Sequence, residues 1–415
     1  MKNHIFNRFK YIIVFALCYS CVEEIELETD TFESVFVVEA TITNELIKQK
    51  ILLSRSYPID QNDPVPERNA QVVVVGNNSA RYSFIETDDG LYVSEQEFRA
   101  IPNVEYHLEI STNNGKSYAS EFMKLTNETK IDDLYAEAVV NDNGVNGISV
   151  FVDSYDPQMK SHYYRFEYEE TYKIIARSYR DSMLIILPQA PQIPGEDPPG
   201  PDIELVPREV QVEICYNTRR SESIIIQSTF DLTEDRLDHF QVRFIRPTDF
   251  ITLHRYSILV SQYIQSREAF IFYKTLNDFS SNENVFSENQ LGFVEGNMFA
   301  VNDASERVVG FFEVSAVDKK RIYFNYADFY PDITPPHPIR CDEFFTPKFR
   351  LVDSHDEVAF ISPLKDAIEG GLLYYALNKP PFDEEGSFAP YILCIPECGD
   401  CTNYGTTDVP DWWEE

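Results

Sequence analysis

Seven cysteines are the residues whose type and spacing most directly indicate chemistry in this sequence. Thiols can carry lipid, pair in disulfides or hold a metal ion. Two of them lie close to the first residue and five in the second half, with three clustered near the end: Cys18, Cys21, Cys215, Cys341, Cys394, Cys398 and Cys401. The two groups need separate interpretations.

The first twenty residues have the architecture of a secretory signal. Lys2, Arg8 and Lys10 precede an apolar stretch over residues 11–19, and this is the order of the basic and apolar regions of an export signal. The apolar stretch is only about half of the roughly 20 residues that a membrane-spanning helix needs. Residues 1–20 are therefore predicted to be a signal peptide.

Cys21 is the predicted lipidation site. It follows the small Ser20, whereas Cys18 follows a bulky leucine, and signal processing prefers a small residue before the cleaved bond. A lipoprotein is expected on this basis. The alternative, a protein that is simply secreted, leaves an unpaired thiol at the extreme N-terminus.

An acid-rich segment directly follows Cys21. Clustered like charges repel each other and stay extended, so residues 21–31 are predicted to form a tether. Two interpretations of this tether remain open. It is either a solvated linker or an export signal for the cell surface, because acidic residues after a lipidated cysteine resemble the export tag of surface lipoproteins in the Bacteroidota. The glutamates concerned are Glu23, Glu24, Glu26 and Glu28.

The five remaining cysteines are disulfide candidates, because export places them in an oxidising compartment. Two bridges and one spare thiol fit the odd number, but their connectivity cannot be read from sequence. A metal knuckle is the alternative, although a structural zinc site needs four ligands and no histidine follows Cys394. Our hypothesis is that Cys398 or Cys401, or both, bridge to Cys215 or Cys341 and pin the C-terminal tail. A local bridge between Cys398 and Cys401 is the rival.

No strong catalytic motif is present, and an enzyme is not the expectation. The sequence lacks the short signatures of nucleophile elbows, phosphate loops, zinc proteases and dinucleotide sites. Asn141-Asp142-Asn143-Gly144 is better read as a hairpin turn than as a calcium loop, because no closing glutamate follows at the required position. No cofactor or metal ion is predicted. The histidines of the mature chain are scattered singly: His107, His162, His239, His254, His337 and His355.

Composition narrows the classes of partner. The formal net charge of −34 argues against nucleic acid and against anionic lipid surfaces, both of which select for Lys and Arg. A hydrophobic content of 43% over 415 residues is ample for real cores, and a chain of this length is expected to form two domains.

Period-two alternation dominates the first part of the mature chain. An apolar side chain recurs at every second position from residue 36 to residue 42, at Phe36, Val38, Ala40 and Ile42. Positions 104–110 repeat this pattern, which is typical of a half-buried antiparallel strand. Short strands at intervals of about 8–12 residues predict an immunoglobulin-like β-sandwich over residues 32–126. Further strands are predicted at 51–53, 71–75, 82–85, 91–93 and 117–122, with turns at 77–78, 88–90 and 113–115.

Residues 127–415 are predicted to form a larger β-rich domain with at least one helix. That helix starts at Ser266 as N-cap, and its apolar face repeats every three or four residues and is typical of core packing: Ala269, Phe272, Tyr273, Leu276 and Phe279. Proline-rich residues 188–207 should form an exposed loop between strands. Such a long loop is either functional or disordered. The further strands of this domain are predicted around Val150, Phe166, Val212, Ile225, Phe244 and Ile258.

Several segments, in order along nearly the whole mature chain, resemble one family of lipoproteins common in Bacteroidota, that of domain of unknown function 4249 (DUF4249). They are residues 36–45, 52–56, 69–74, 90–92, 114–120, 215–216, 296–297, 309–312 and 320–322, the Cys-Gly-Asp-Cys run at 398–401 and the Pro-Asp-Trp-Trp run at 410–413. The resemblance implies an outer-membrane lipoprotein that accompanies a TonB-dependent transporter. It implies no activity and no ligand.

The expected function is therefore that of a binding or accessory protein, lipid-anchored at the outer membrane and exposed at the cell surface, that works with a TonB-dependent transporter in nutrient capture. A cell-surface hydrolase without a recognisable motif is the first alternative. A structural or adhesive surface module is the second. No nucleic-acid partner is expected, and the ligand stays open.

Overall fold

The computed structural model describes seven stretches of the chain. The predictions for the signal peptide, for Cys21 and for the acidic tether fall on residues outside them, and so do residues 189–201 of the proline-rich loop. The described stretches are residues 34–57, 64–188, 202–281, 294–333, 340–349, 362–384 and 386–415.

The described residues form mainly β structure, which confirms the predicted fold class. Three α-helices are described, α1 (Arg267–Ser281), α2 (Pro363–Glu369) and α3 (Pro396–Gly399), with 3-10 turns at Phe250–Thr252, Tyr326–Asp328 and Cys401–Asn403. The strands are β1 (Phe36–Thr43), β2 (Lys50–Arg55), β3 (Val65–Pro66), β4 (Gln71–Gly76), β5 (Arg81–Asp88), β6 (Leu91–Ser94), β7 (Glu105–Ser111), β8 (Ser117–Ser120), β9 (Met123–Lys124), β10 (Ile131–Val140), β11 (Asn146–Tyr155), β12 (Tyr163–Ile175), β13 (Ser182–Ile186), β14 (Ile203–Pro207), β15 (Ile214–Arg220), β16 (Ile225–Ser228), β17 (Arg236–Ile245), β18 (Tyr256–Ile264), β19 (Met298–Ala300), β20 (Val308–Phe324), β21 (Leu373–Leu377) and β22 (Tyr391–Cys394).

Two stretches differ from the prediction. Residues 203–207 were expected in an exposed loop, but they form β14, which pairs antiparallel with β13. Their apolar side chains pack beside buried Leu184, and this packing outweighs the effect of the prolines that precede them. The strand predicted around Val212 begins only at Ile214, because the Val212 carbonyl accepts from the main-chain N–H of Cys401 at 3.0 Å and not from a neighbouring strand.

The first core is built around β1, whose alternate residues Phe36, Val38 and Ala40 are buried. β1 pairs antiparallel with β2 and parallel with β20, while β19 pairs with β8 at the far end of the same sheet. Phe312 of β20 lies in this core together with the N-terminal strands. Strands from beyond residue 126 thus contribute to it, and the immunoglobulin-like sandwich over residues 32–126 stays a prediction.

The second core lies between two facing sheets. A three-stranded sheet, β10-β11-β17, packs on the part of the large sheet that runs β15-β12-β18-β20. Buried side chains from both sheets, among them Val150, Phe166 and Ile258, belong to one apolar cluster. β20 is long enough to serve both cores, because its first half pairs with β1 and its second half with β18.

Helix α1 packs as the sequence predicts. The Ser266 side chain accepts a hydrogen bond from the main-chain N–H of Ala269 at 3.1 Å, so it serves as the N-cap. Ala269 and Phe272 are buried against Phe311 of β20. The aromatic face therefore packs in a core.

Residues 296–297, just before β19, contact residues 309–312 of β20 beside the first core. We call this contact the seam. The Asn297 side chain donates to the main-chain oxygen of Phe312 at 2.9 Å and accepts from its N–H at 2.7 Å. A Cβ on Gly296 would lie 1.7 Å from the main-chain oxygen of Gly310. Two segments that share the family resemblance, 296–297 and 309–312, therefore meet in space and require a glycine and an asparagine.

Replacing Asn297 with alanine should lower the free energy of unfolding by about 2 kcal/mol, because a buried N–H and C=O both lose their partner. Urea unfolding followed by far-UV circular dichroism measures the change. Asn143→Ala, in an exposed turn, is the matched control and should stay within about 0.5 kcal/mol of wild type. Equal losses in the two variants would contradict the role of the seam.

Candidate ligand-binding site

An open groove lies where β12 ends. Tyr172 and Ile174 are buried in the second core, so the alternate residues Lys173 and Ile175 face outward. The groove has a volume of about 330 Å³. It is lined by Lys173, Ile175, Leu253, His254, Arg255, Asn325, Tyr326, Ala327, Ile333 and Glu415. A smaller recess adjoins it at Lys173, Ile175, Leu253 and His254 and also contacts Phe250, Glu397, Cys401 and Tyr404.

Two disulfides anchor the C-terminal segment that lines the adjoining recess. Cys215 of β15 bonds to Cys401 across 186 residues of sequence, and Cys341 bonds to Cys398 across 57. Cys394 is a buried free thiol. This is the long-range pairing of the clamp hypothesis, in which tail cysteines are tied to Cys215 and Cys341, and the local bridge between Cys398 and Cys401 is not formed.

The groove is cationic on a chain that is strongly acidic overall. Lys173 and Arg255 carry positive charge on its lining, and Glu415 is the acidic side chain in the same cavity. Ile175 and Leu253 add apolar surface. Because the whole chain carries −34, this local excess of cations favours an anionic ligand with an apolar part.

The groove already holds a carboxylate of the same chain. Lys173 Nζ donates to both Glu415 carboxylate oxygens, at 2.8 and 3.0 Å, and the Tyr216 hydroxyl donates to one of them at 3.4 Å. Glu415 belongs to residues 412–415, which we call the tail segment. Trp412 is 36% exposed, so its ring stays partly open to solvent.

The Lys173 contact makes docking of the tail segment pH-dependent. The hydrogen bond from Lys173 lowers the pKa of Glu415 below its ordinary value of 4.5. A lowered carboxyl pKa stabilises docking above the pKa of the undocked group, and this stabilisation is lost as the pH falls through the docked value. The surrounding groups are Lys173, Tyr216 and Trp413, and Arg255 holds the preceding carbonyl.

Acid titration should therefore release the tail segment below about pH 4.5. The two tryptophans of the chain, Trp412 and Trp413, are both in the tail segment, so a red shift of tryptophan emission reports its release. Glu415→Gln removes the titrating group and should abolish this step. The same titration step in Glu415→Gln would show that another group controls docking.

Among the described residues, Ser161, His162 and Asp235 have the residue types of a hydrolase triad, but their geometry is structural. The Ser161 hydroxyl is 2% exposed and donates to Asp156 at 3.0 Å. Asp235 is fully buried and accepts from the Tyr164 hydroxyl at 2.7 Å and from the main-chain N–H groups of Ser161 and His162, both at 3.0 Å. The Asp235 oxygens therefore accept hydrogen bonds that stabilise a turn. Because the Ser161 side chain is buried, a substrate cannot reach it.

Tyr135, Asp153 and His239 form a second polar cluster, on the outer face of the three-stranded sheet. The Tyr135 hydroxyl lies 3.2 Å from Asp153 and 3.0 Å from the His239 ring nitrogen, and His239 stacks on Phe151. Desolvation and the Asp153 carboxylate raise the pKa of Tyr135 to about 12. The phenol thus stays protonated, and it positions the imidazole on an open surface where nothing encloses a substrate.

No group of three or more His, Cys, Asp or Glu side chains among the described residues is arranged to hold a metal ion. Among the helices of these stretches, none combines the length and the apolar character that crossing a membrane requires.

The groove residues were missed by sequence reasoning. Lys173, His254 and Arg255 come from the ends of two strands and carry no motif, and Glu415 is more than 240 positions from the lysine it contacts. The one usable signal was the cysteine cluster, because Cys401 contributes to the adjoining recess. The predicted site residue Cys21 lies outside the described stretches.

Comparison with known proteins gives one extensive match. A family model described as "Domain of unknown function (DUF4249)" matches residues 22–321. No curated protein matches the sequence. Among solved structures, a DUF4785 family protein from Legionella pneumophila matches 54% of this chain and 51% of its own, so the chain spans about half of that protein's length, with 10% identity and a TM-score of 0.16. A TM-score this low does not indicate a shared fold.

Proposed function

The chain belongs to the DUF4249 family, and from that premise we propose that it is a lipid-anchored binding protein of the outer membrane that assists a TonB-dependent transporter in nutrient capture. The observation that carries the proposal is the cationic groove at Lys173 and Arg255 on a chain of net charge −34. A local field of this kind concentrates an anionic ligand while the rest of the surface repels it.

The contacts in the groove are those of binding, and this favours an accessory protein over a hydrolase. Lys173 and Tyr216 hold a carboxylate by hydrogen bonds alone, and Cys401 of the adjoining recess is committed to a disulfide. Exchange of such a ligand breaks no covalent bond. A protein with this groove, tethered beside a transporter, can capture a ligand and pass it on.

Attachment through Cys21 makes a direct prediction. Cys21→Ala should abolish lipid labelling and move the protein from the membrane fraction to the soluble fraction, because the lipid is the proposed anchor. Cys18→Ala is the matched control and should leave both unchanged. Membrane association of Cys21→Ala in high salt would contradict the anchor.

If the acidic tether is an export signal, the protein should be exposed on the outside of the cell. Protease added to intact cells should then digest the protein, because Glu23, Glu24, Glu26 and Glu28 would direct it to the cell surface. Protection in intact cells, with digestion only after rupture of the outer membrane, would place it on the periplasmic side.

Affinity purification from detergent-solubilised native membranes tests the partner. A TonB-dependent transporter should co-purify with the wild-type lipoprotein and be lost from the Cys21→Ala protein, which no longer reaches the membrane. The absence of any such transporter from a preparation in which the lipoprotein itself is lipidated would refute the accessory role.

A further inference from the structure

The tail segment crosses the outer face of the sheet that forms the groove, and two of its main-chain carbonyls are held by side chains of that sheet. The Tyr323 hydroxyl donates to the carbonyl of Trp412 at 2.6 Å, and Arg255 Nε donates to the carbonyl of Glu414 at 3.2 Å. These two carbonyls are two residues apart. The chain turns as it reaches this surface, since the N–H of Trp413 donates to the carbonyl of Pro410 at 2.9 Å. The two held carbonyls are acceptors that every peptide carries.

Three tail side chains supply the selective contacts. The Arg321 guanidinium lies over the Trp412 ring, 3.4 Å from its centroid, and the Trp413 ring meets the Tyr216 ring edge to face at 4.9 Å. The Glu415 carboxylate lies on Lys173. The surface thus accepts an aromatic pair followed within two positions by an acid, a pattern that combines stacking on a cation with charge pairing.

The fold does not depend on the tail segment for closure. Upstream of it, Cys401 is bonded to Cys215, and Thr406 exchanges two main-chain hydrogen bonds with Tyr216, at 2.8 and 2.9 Å. Release of residues 412–415 therefore removes Glu415 from the groove lining and leaves the chain up to Thr406 bonded to β15. What it uncovers is the row formed by Tyr216, Lys173, Arg255 and Tyr323.

We propose that this row is a peptide-binding surface for acidic, aromatic peptides, and that the tail segment occupies it as a tethered competitor. The proposal rests on the proposed binding function and names the class of ligand. A tethered segment acts at an effective concentration of roughly millimolar, so a free peptide binds only when it outcompetes the tail. Removal of the tail segment should therefore strengthen peptide binding by at least about tenfold.

Tryptophan emission tests the exchange in the intact protein, because both tryptophans lie in the tail segment. The probe is the tryptophan-free peptide Asp-Val-Pro-Asp-Phe-Phe-Glu-Glu. Its addition should shift emission to the red and raise acrylamide quenching in a saturable way, as the tail leaves the surface. A peptide with Ala-Ala in place of Phe-Phe should be at least about tenfold weaker. One with Gln-Gln in place of Glu-Glu should be about two- to fivefold weaker, because it loses an exposed ion pair.

Variants of the peptide-binding surface provide a second test of the proposal. A chain ending at Asp411 should bind the fluorescein-labelled probe at least about tenfold more tightly than the intact chain does, and Lys173→Gln or Arg321→Gln in that shortened chain should remove most of the gain. Lys365→Gln, on helix α2, is the matched control and should change nothing.

Lack of probe binding to a shortened chain whose far-UV circular dichroism and thermal melt match wild type would overturn the proposal, and so would equal binding to the intact and shortened chains. Co-purification of a transporter tests the accessory function and is independent of the probe experiment. A transporter that co-purifies while the probe fails leaves the accessory function standing and removes only this ligand class.

Discussion

Replacing Cys215 and Cys401 together by serine should lower the free energy of unfolding by about 5 kcal/mol, as the chain-entropy model gives for a loop of this length. The bridge joins residues 186 positions apart, so without it the unfolded chain regains the freedom of nearly half its length. The same pair of replacements at Cys341 and Cys398, which are 57 positions apart, should cost about 4 kcal/mol.

Urea unfolding followed by far-UV circular dichroism measures both losses, and Cys394→Ala is the matched control because it leaves both bridges intact. Cys394 is buried, so this control should cost about 1 kcal/mol for lost packing. The Cys215/Cys401 variant should also show red-shifted tryptophan emission before unfolding, since the tail segment loses its upstream anchor. Stability equal to that of Cys394→Ala would show that the bridges do not clamp the tail.

Local patterns in the sequence predicted local structure well. The alternation at Phe36, Val38 and Ala40 predicted β1, and the Ser266 cap with its apolar repeat predicted helix α1, because a strand face and a helix face are visible within a few residues. The hairpin turn at Asn141-Asp142-Asn143-Gly144 is also confirmed, since Gly144 has a positive φ of 73° and Asn141 pairs with Val145.

Long-range pairing could not be predicted from those patterns. β1 lies parallel to β20, with Phe36 opposite Val308, and nothing in either stretch indicates the other. A strand shows which of its faces is buried and does not show which strand is its neighbour. The groove was missed for the same reason, because Lys173, Arg255 and Glu415 become neighbours only after β12, β18 and the tail have been brought together.

The buried ion pair of Arg165 and Glu313 also could not be predicted from the sequence. Their side chains are 3.0 Å apart across 148 positions, and both are almost fully buried, Arg165 at 6% and Glu313 at 1% exposure. The guanidinium also lies over the rings of Tyr263 and Tyr273, at 4.3 and 4.8 Å. The pair thus ties β12 to β20, the strand that serves both cores.

Arg165→Met should lower the free energy of unfolding by roughly 3–5 kcal/mol, because it leaves the Glu313 carboxylate buried without its cation. Three further donors to that carboxylate remain, the Ser315 hydroxyl at 2.6 Å, Gln265 Nε2 at 3.2 Å and the Thr41 hydroxyl at 3.5 Å. They satisfy its hydrogen bonds without neutralising its charge. Urea unfolding of Arg165→Met against wild type, followed by circular dichroism, measures the loss.

The double variant Arg165→Met with Glu313→Leu decides the cause of that loss. If the cost of the single variant comes from an uncompensated buried charge, removal of the second charge should recover most of it, because an apolar pair of similar volume is often as stable as a buried ion pair. Arg236→Met is the matched control. That arginine is paired with Glu234 at 48% and 59% exposure, so its loss should cost about 0–1 kcal/mol. A double variant that loses the sum of two large single effects would instead mean that each side chain stabilises the fold independently, Arg165 by packing on its two tyrosines and Glu313 through hydrogen bonds from its three other donors. The attraction between the two charges would then contribute little.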